Sequence, residues 1–346
     1  MSFNIIITSY NRPKKVEWLV GALNSTLVKK IIIVDSGNND FNLVALNRKV
    51  EVYRSSHKNQ PYQRFLGFCN TDSKWVLFLD DDMEPMEGWD RDIVEIINKY
   101  NEDIGLIGLN FKDLHQHSFL NKNHRSITSS NSSSKFFNFI RKITGYPILS
   151  HGIYYKNGVK GAFPTVESFV EHVSGGAFLA NKDFLYKNVN FELFSLYEKR
   201  LGKGEDGILG YSVSKMAPVV FYPKQLFWHN DQGNSIYTQN HYQFNFVVAF
   251  SRLYLNREYY RLNKKSLILA WSSYLNYSIW RIVGLTGNFL IKPSKVRFSA
   301  LRGYFMGSIK ALYFRYNKDL KSVNQYWLTE VNNDSLKSSR GGEVYG

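Results

Sequence analysis

The stretch WVLFLDDDMEP, residues 75–85, decides how this chain is read. Five apolar residues, Trp75-Val76-Leu77-Phe78-Leu79, run without a polar break and stop at three carboxylates, Asp80-Asp81-Asp82. An unbroken apolar run of strand length fits a strand covered on both faces, as in a parallel sheet. Three consecutive carboxylates beyond it repel one another unless a cation neutralises them. A hard divalent ion prefers one or two carboxylates plus substrate phosphates. Residues i and i+2 of extended chain face the same side, so Asp80 and Asp82 can address one ligand. From these residues alone, an acidic start to a helix at residues 89–100 is the competing explanation.

Upstream, the same strand-then-polar pattern recurs. Residues 4–8 and 30–34 are β-branched runs, and 50–53 is a third short strand. Between them Val16, Leu19, Val20 and Leu23 carry helical spacing, and a second helix is expected at 62–69. Strands separated by helices predict a parallel sheet with its ligand at the carboxyl ends of the strands. Those ends carry residues 8–12, 35–40 and 80–82, so three polar clusters converge on one edge. Downstream, residues 111–170 are less regular, and the Ser- and Asn-rich run 126–134 reads as a loop. Regular patterning returns at 173–180 and 219–222, and from about residue 237 the chain is helical, aromatic and basic. Residues 335–346 are expected to fray.

Composition narrows the partners. The chain has 346 residues, 44% of them hydrophobic, enough for a large α/β domain with an appendage. Net charge is +15 and 16% of residues are aromatic, which together point to phosphorylated substrates, nucleic acid or a lipid surface. The single cysteine, Cys69, excludes an internal disulfide framework and reads as a small apolar residue on a buried helix face. Residues 1–4 run straight into a strand without a charged lead-in, so no secretory signal is expected. The apolar run 267–291 is broken by Asn276, Arg281 and Asn288 and is not expected to span a membrane.

The strand-end clusters, taken with later motifs, resemble glycosyltransferase family 2, which has the GT-A fold. The matching pieces are Ile7-Thr8-Ser9-Tyr10-Asn11-Arg12, Val34-Asp35-Ser36-Gly37, Arg64, Phe78-Leu79-Asp80-Asp81-Asp82, Ser174-Gly175-Gly176 and Gly204-Glu205-Asp206. The resemblance covers roughly residues 2–229. It implies a Rossmann-like, mostly parallel α/β sheet with helices on both faces, followed by a helical C-terminal region. The expected division is a catalytic domain at 1–235 (nucleotide-binding half 1–110, acceptor half 111–235), helices at 236–330 and a tail at 331–346. Thr8 and Tyr10 would line the nucleotide pocket, and Asp35 would accept a hydrogen bond from the base, favouring a UDP- or dTDP-sugar. Arg12 and Arg64 would contact the donor, Asp80 its ribose, and Asp81 lies beside them. Gly175 and Gly176 would allow close approach near the donor sugar. Asp82 would bind the metal, Mn²⁺ or Mg²⁺, and His229 stands where some relatives place a metal-binding histidine. By the same resemblance Asp206 is the general base, held by Glu205, and one displacement inverts the anomeric centre. Gly207 departs from the family pattern.

The basic, aromatic C-terminal third supports two readings: helices lying on an anionic membrane, or helices packed on the catalytic domain with a charged outer face. The first makes the acceptor a lipid-linked saccharide. It puts the enzyme in the cytoplasm, peripheral on the inner face of the cell membrane, in lipopolysaccharide or capsule synthesis. A nucleotidyltransferase would need a Gly-rich phosphate loop after the first strand, and residues 9–15 contain no glycine. A nucleic-acid-binding protein is disfavoured by the acidic clusters and by the lack of a recognition motif, so no nucleic-acid partner is expected.

Overall fold

The computed structural model describes residues 2–37, 40–41, 50–100, 103–113, 151–230, 240–314, 320–341 and 344–345. The Ser- and Asn-rich stretch 126–134 lies outside the described residues.

Four strands build the first half of the sheet: β1 (Phe3–Ser9), β2 (Val28–Asp35), β3 (Val50–Arg54) and β4 (Trp75–Asp80). They are all parallel, in the order β3-β2-β1-β4. Helices α1 (Pro13–Ala22) and α2 (Gln60–Cys69) make the crossovers. Pro13 opens α1 where a missing N–H costs nothing, and the Asn59 side chain caps α2 through Tyr62 N at 3.3 Å. The side-chain alternation of β1 feeds two cores. Ile6 packs with Tyr62, Phe65 and Leu66 of α2 on one face. Ile5 and Ile7 pack with Val16, Leu19 and Val20 of α1 on the other.

The second half is mixed. After β5 (Met83–Pro85), α3 (Trp89–Tyr100) and β6 (Leu106–Asp113) come β7 (Ser168–Val170), β8 (Ala177–Asn181) and β9 (Val219–His229). β8 enters antiparallel between β4 and β6, whereas β6 and β9 are parallel. β9 is far longer than the run 219–222 expected from apolarity. Its register against β6 jumps from Leu109↔Tyr222 to Asn110↔Gln225, setting Pro223, which has no N–H to donate, in an irregularity of the ladder. The strand then resumes to His229, beside Met83 of β5.

Among the described residues the remaining helices are α4 (Glu192–Glu198), α5 (Glu205–Ser214), α6 (His241–Leu262), α7 (Leu267–Ile291), α8 (Lys295–Tyr313) and α9 (Leu320–Gly341). The tail does not fray as expected. The α9 helix continues to Gly341, and Val344–Tyr345 form β10, antiparallel to β3. Buried Asp334 explains the anchoring: it accepts hydrogen bonds from Ser56 N and Tyr62 Oη, each at 2.9 Å. Cys69 also departs from expectation, since it ends α2 on an exposed face.

Candidate active site

The parallel strands end together, and their tips form the floor of the site. Gln63 of α2 donates through Nε2 to Ser9 O at 2.7 Å and Val34 O at 3.0 Å, joining the ends of β1 and β2. Asp35, fully buried, accepts from Arg54 NH1 at 2.8 Å and Gly37 N at 3.1 Å, while its Oδ1 has no hydrogen-bond partner. Burial raises its pKa, against the pull of Gly37 N–H and Arg54. Thr8 Oγ1 is likewise buried without a partner. Tyr10 is exposed, with the Lys58 ammonium 2.8 Å from its hydroxyl.

The three carboxylates behave differently. Asp80 Oδ1 accepts from Arg64 NH2 and Gln60 Nε2, both at 2.7 Å. Burial pushes its pKa up to about 7, the neighbouring Asp82 and Asp81 adding to the effect and Arg64 opposing it. Asp81 accepts from Arg12 NH1 at 2.7 Å and Ser9 Oγ at 3.1 Å. Its pKa is also raised by burial, with Arg12 opposing. Asp82 Oδ1 is buried without a hydrogen-bond partner and lies 3.7 Å from His229 Nε2. The antiparallel pairing of β5 with β9 brings them together, since Met83 is opposite His229 and Asn230 N donates to Asp82 O at 2.8 Å. Among the described residues no group of three or more His, Cys, Asp or Glu side chains is arranged around a metal position. An orphaned carboxylate oxygen facing an imidazole nevertheless suits an ion that completes its shell with substrate phosphates.

Arg64 ties the two halves. Its side chain is 3% exposed, and besides Asp80 it donates to Gly175 O at 2.8 Å and Glu205 Oε1 at 3.1 Å. The charges of Asp80 and Glu205 outweigh its burial and raise its pKa. Glu205 also accepts from the Tyr197 hydroxyl. Beside it Asp206 accepts from Lys160 Nζ at 2.6 Å, Gly175 N at 3.0 Å and Gly207 N at 2.8 Å. The glycines leave room for this closeness. A Cβ on Gly175 would sit 3.3 Å from Arg64 NH2, and one on Gly176 would sit 3.3 Å from Met83 Sδ, while Gly176 O accepts from Asp80 N at 3.0 Å.

The structure thus joins Asp80, Arg64, Gly175, Glu205 and Asp206 in one network, and Asp81, Asp82, Arg12 and His229 in a second beside it. Arg64, expected at the donor, is enclosed by carboxylates and a carbonyl. Arg12 is half exposed and sits on Asp81, 3.8 Å from Asp82. Sequence reasoning missed Gln60, Lys160 and Tyr197, which lie outside the recognised motifs. Arg54 was legible in principle: it ends β3 at the register position of Asp35.

A family model for glycosyl transferase family 2 matches residues 4–158. Over those residues, a little under half of its length, the chain is similar to glycosyltransferase family 2. The match includes Asp35 and Asp80–Asp82 and stops before Gly175, Glu205, Asp206 and His229, whose placement comes from the fold alone. No curated protein sequence matches. Among solved structures, TarS residues 1–349 from S. aureus aligns over 92% of this chain and 94% of its own, at 13% identity and TM-score 0.43. The same protein in complex with UDP-GlcNAc aligns with the same values. GalNAc-T7 with UDP, GalNAc and Mn²⁺ aligns over 78% of this chain and 56% of its own, at 15% identity and TM-score 0.44.

Proposed function

We propose that this chain is a family 2 glycosyltransferase that moves a sugar from a UDP- or dTDP-sugar to a hydroxyl of a glycan acceptor, inverting the anomeric centre. The observation that carries the reading is the Arg64 bridge, which couples Asp80 at the donor strand tips to Glu205 beside Asp206. The free Oδ1 of Asp35 accepts the imide N–H of uracil or thymine, and Tyr10 offers its ring to the base. Thr8, Asp80, Asp81, Arg12, Gly175 and Gly176 surround the rest of the donor. Asp82 and His229 would hold a divalent cation, and the imidazole favours Mn²⁺ over Mg²⁺. When bound, such an ion acts as a Lewis acid and offsets charge on the departing diphosphate.

Asp206 is the general base. The acceptor O–H proton passes to its carboxylate as the acceptor oxygen bonds to the anomeric carbon. The bond from that carbon to the diphosphate oxygen breaks, and its electron pair leaves with the diphosphate. A base must be ionised to act, and Asp206 is: burial works to raise its pKa, but Lys160, the Gly207 N–H and Arg64 hold it below the usual value. Purified protein with Mn²⁺ should transfer or hydrolyse one UDP- or dTDP-sugar, and Asp206→Asn should lose transfer while still binding donor. Full transfer by that variant would overturn the assignment.

The acceptor belongs on this reading to a lipid-linked saccharide at an anionic membrane surface, in cell-envelope polysaccharide synthesis on its cytoplasmic side. What supports it is the α7–α8 pair. Ile268, Ile279, Val283, Leu290, Ile291 and Phe298 are exposed there, and no Asp or Glu occurs between Glu258 and Asp319. Lys264, Lys265, Lys292, Lys295 and Lys310 lie in the same span. Among the described residues no helix is long and apolar enough to cross a membrane, so the pair would lie in the interfacial plane.

A further inference from the structure

Both oxygens of Asp206 are engaged by the protein itself. Oδ1 accepts from Gly207 N at 2.8 Å, while Oδ2 accepts from Gly175 N at 3.0 Å and Lys160 Nζ at 2.6 Å. A carboxylate offers about four lone-pair positions, so one remains, on Oδ1. Two backbone donors and one ammonium therefore fix the rotation of the carboxylate and leave one oxygen position for a substrate proton.

Lys160 reaches Asp206 across the first turn of α5. It is paired with Tyr154 in an isolated antiparallel bridge, and its stem passes over Gly207. A Cβ on Gly207 would lie 2.9 Å from Lys160 Cδ and 3.0 Å from Tyr154 Cε2. The glycine that departs from the family pattern is thus the residue that leaves room for this lysine.

The Asp206 carboxylate is largely withdrawn from water, with 15% of its side chain exposed. Asp206 has the Lys160 ammonium at 2.6 Å, and its pKa ends below the usual value although burial pushes it the other way. Among the charged or titratable groups facing Asp206, Lys160 exerts the largest downward pull on its pKa. Arg64 from α2 is held by Asp80 and Glu205. His172 is fully buried, with a pKa lowered to about 4 by burial and by Lys160, and is therefore neutral at working pH. The Tyr154 hydroxyl is kept protonated by burial. Lys203, before Gly204, has a pKa lowered by burial, and Glu205 beside Asp206 is committed to Arg64 and Tyr197.

We propose that Lys160 is a positioning residue, holding Asp206 ionised and turned so that Oδ1 is left for the acceptor hydroxyl. The inference rests on Asp206 being the base. Without Lys160 the carboxylate is protonated to higher pH and keeps only the two backbone donors, so the loss should be greatest in acid.

The test is the pH dependence of kcat/KM for acceptor, at saturating donor and Mn²⁺, for wild type, Lys160→Met, Lys160→Arg and Asp206→Asn. In Lys160→Met the acidic limb should move up by about one pH unit or more, with about tenfold loss on that limb that shrinks toward neutral and alkaline pH. Lys160→Arg should keep the wild-type limb, and the donor KM should stay within about threefold of wild type. The Lys160 side chain is one-third exposed, so these variants should fold; Lys160→Gln replaces Met should that protein fail to fold. An unmoved limb in Lys160→Met, or an equal loss at every pH, overturns the proposal while leaving Asp206 as base. Transfer retained by Asp206→Asn overturns the base assignment, and this inference with it.

Discussion

Arg64 is the residue whose removal should cost most. Taking away one partner of a buried pair strands the opposing charges, so Arg64→Ala should lose about 3–5 kcal/mol by urea unfolding. Arg64→Lys should retain more stability yet lose transfer at least about tenfold, because an ammonium cannot reproduce the planar fork joining Asp80, Gly175 O and Glu205. Full transfer by the lysine variant would contradict that role. His172 makes a second prediction, on pH. Its folded pKa, depressed by burial to about 4, lies below the ordinary 6.5, so between these values the unfolded chain binds the proton and the folded chain does not. Its contribution is present above the unfolded pKa and lost as pH falls, by about 2 kcal/mol between pH 7.5 and 5. His172→Gln should show a correspondingly shallower decline over that range, whatever its stability at pH 7.5; an equal decline would refute it. At this scale the sequence was most legible where polarity interrupts apolarity. Asp35 and Asp80 stand at abrupt strand ends, so their convergence could be read. Lys160, in an irregular stretch, met Asp206 only through folding, and nothing local to it reports that contact.

Elements obey the same division. The strands β1, β2 and β4 and helices α1 and α2 were readable because β-branched runs alternate with helical spacing. The length of β9 was not, because its outer half, 223–229, is interrupted by Pro223 and Lys224 and stabilised by pairing with β5 and β6. That pairing is what brings His229 to Asp82. The tail was misread as frayed because its polarity hid buried Asp334 and the late β10 pairing. Among the C-terminal helices, α8 crosses α6 at backbone contact: a Cβ on Gly303 would lie 2.2 Å from Tyr242 O, and one on Gly307 2.2 Å from Phe246 O. Alanine at either position must push the helices apart. Gly307→Ala should therefore cost about 1–3 kcal/mol, the usual range for overpacking, measured by thermal or urea unfolding. Unchanged stability would mean that α8 is not seated as described.

For the whole molecule, the charge pattern and the exposed apolar residues of α7 and α8 predict binding to vesicles containing phosphatidylglycerol. Binding should weaken with salt and be weak on neutral phosphatidylcholine. Ile279→Glu with Val283→Glu, both exposed, should abolish it in co-sedimentation without lowering transfer to a soluble acceptor. Salt-independent binding to both vesicles would remove the electrostatic part of this reading. The catalytic account itself requires a donor held between the strand tips and a cation at Asp82 and His229. Calorimetric titration of UDP into the protein, with and without Mn²⁺, tests this most directly. Mn²⁺ should raise the affinity of the wild type at least about tenfold, equivalent to about 1.4 kcal/mol, and should do little for Asp82→Ala. Equal UDP affinity with and without the metal in the wild type, unaltered by Asp82→Ala, would contradict the account.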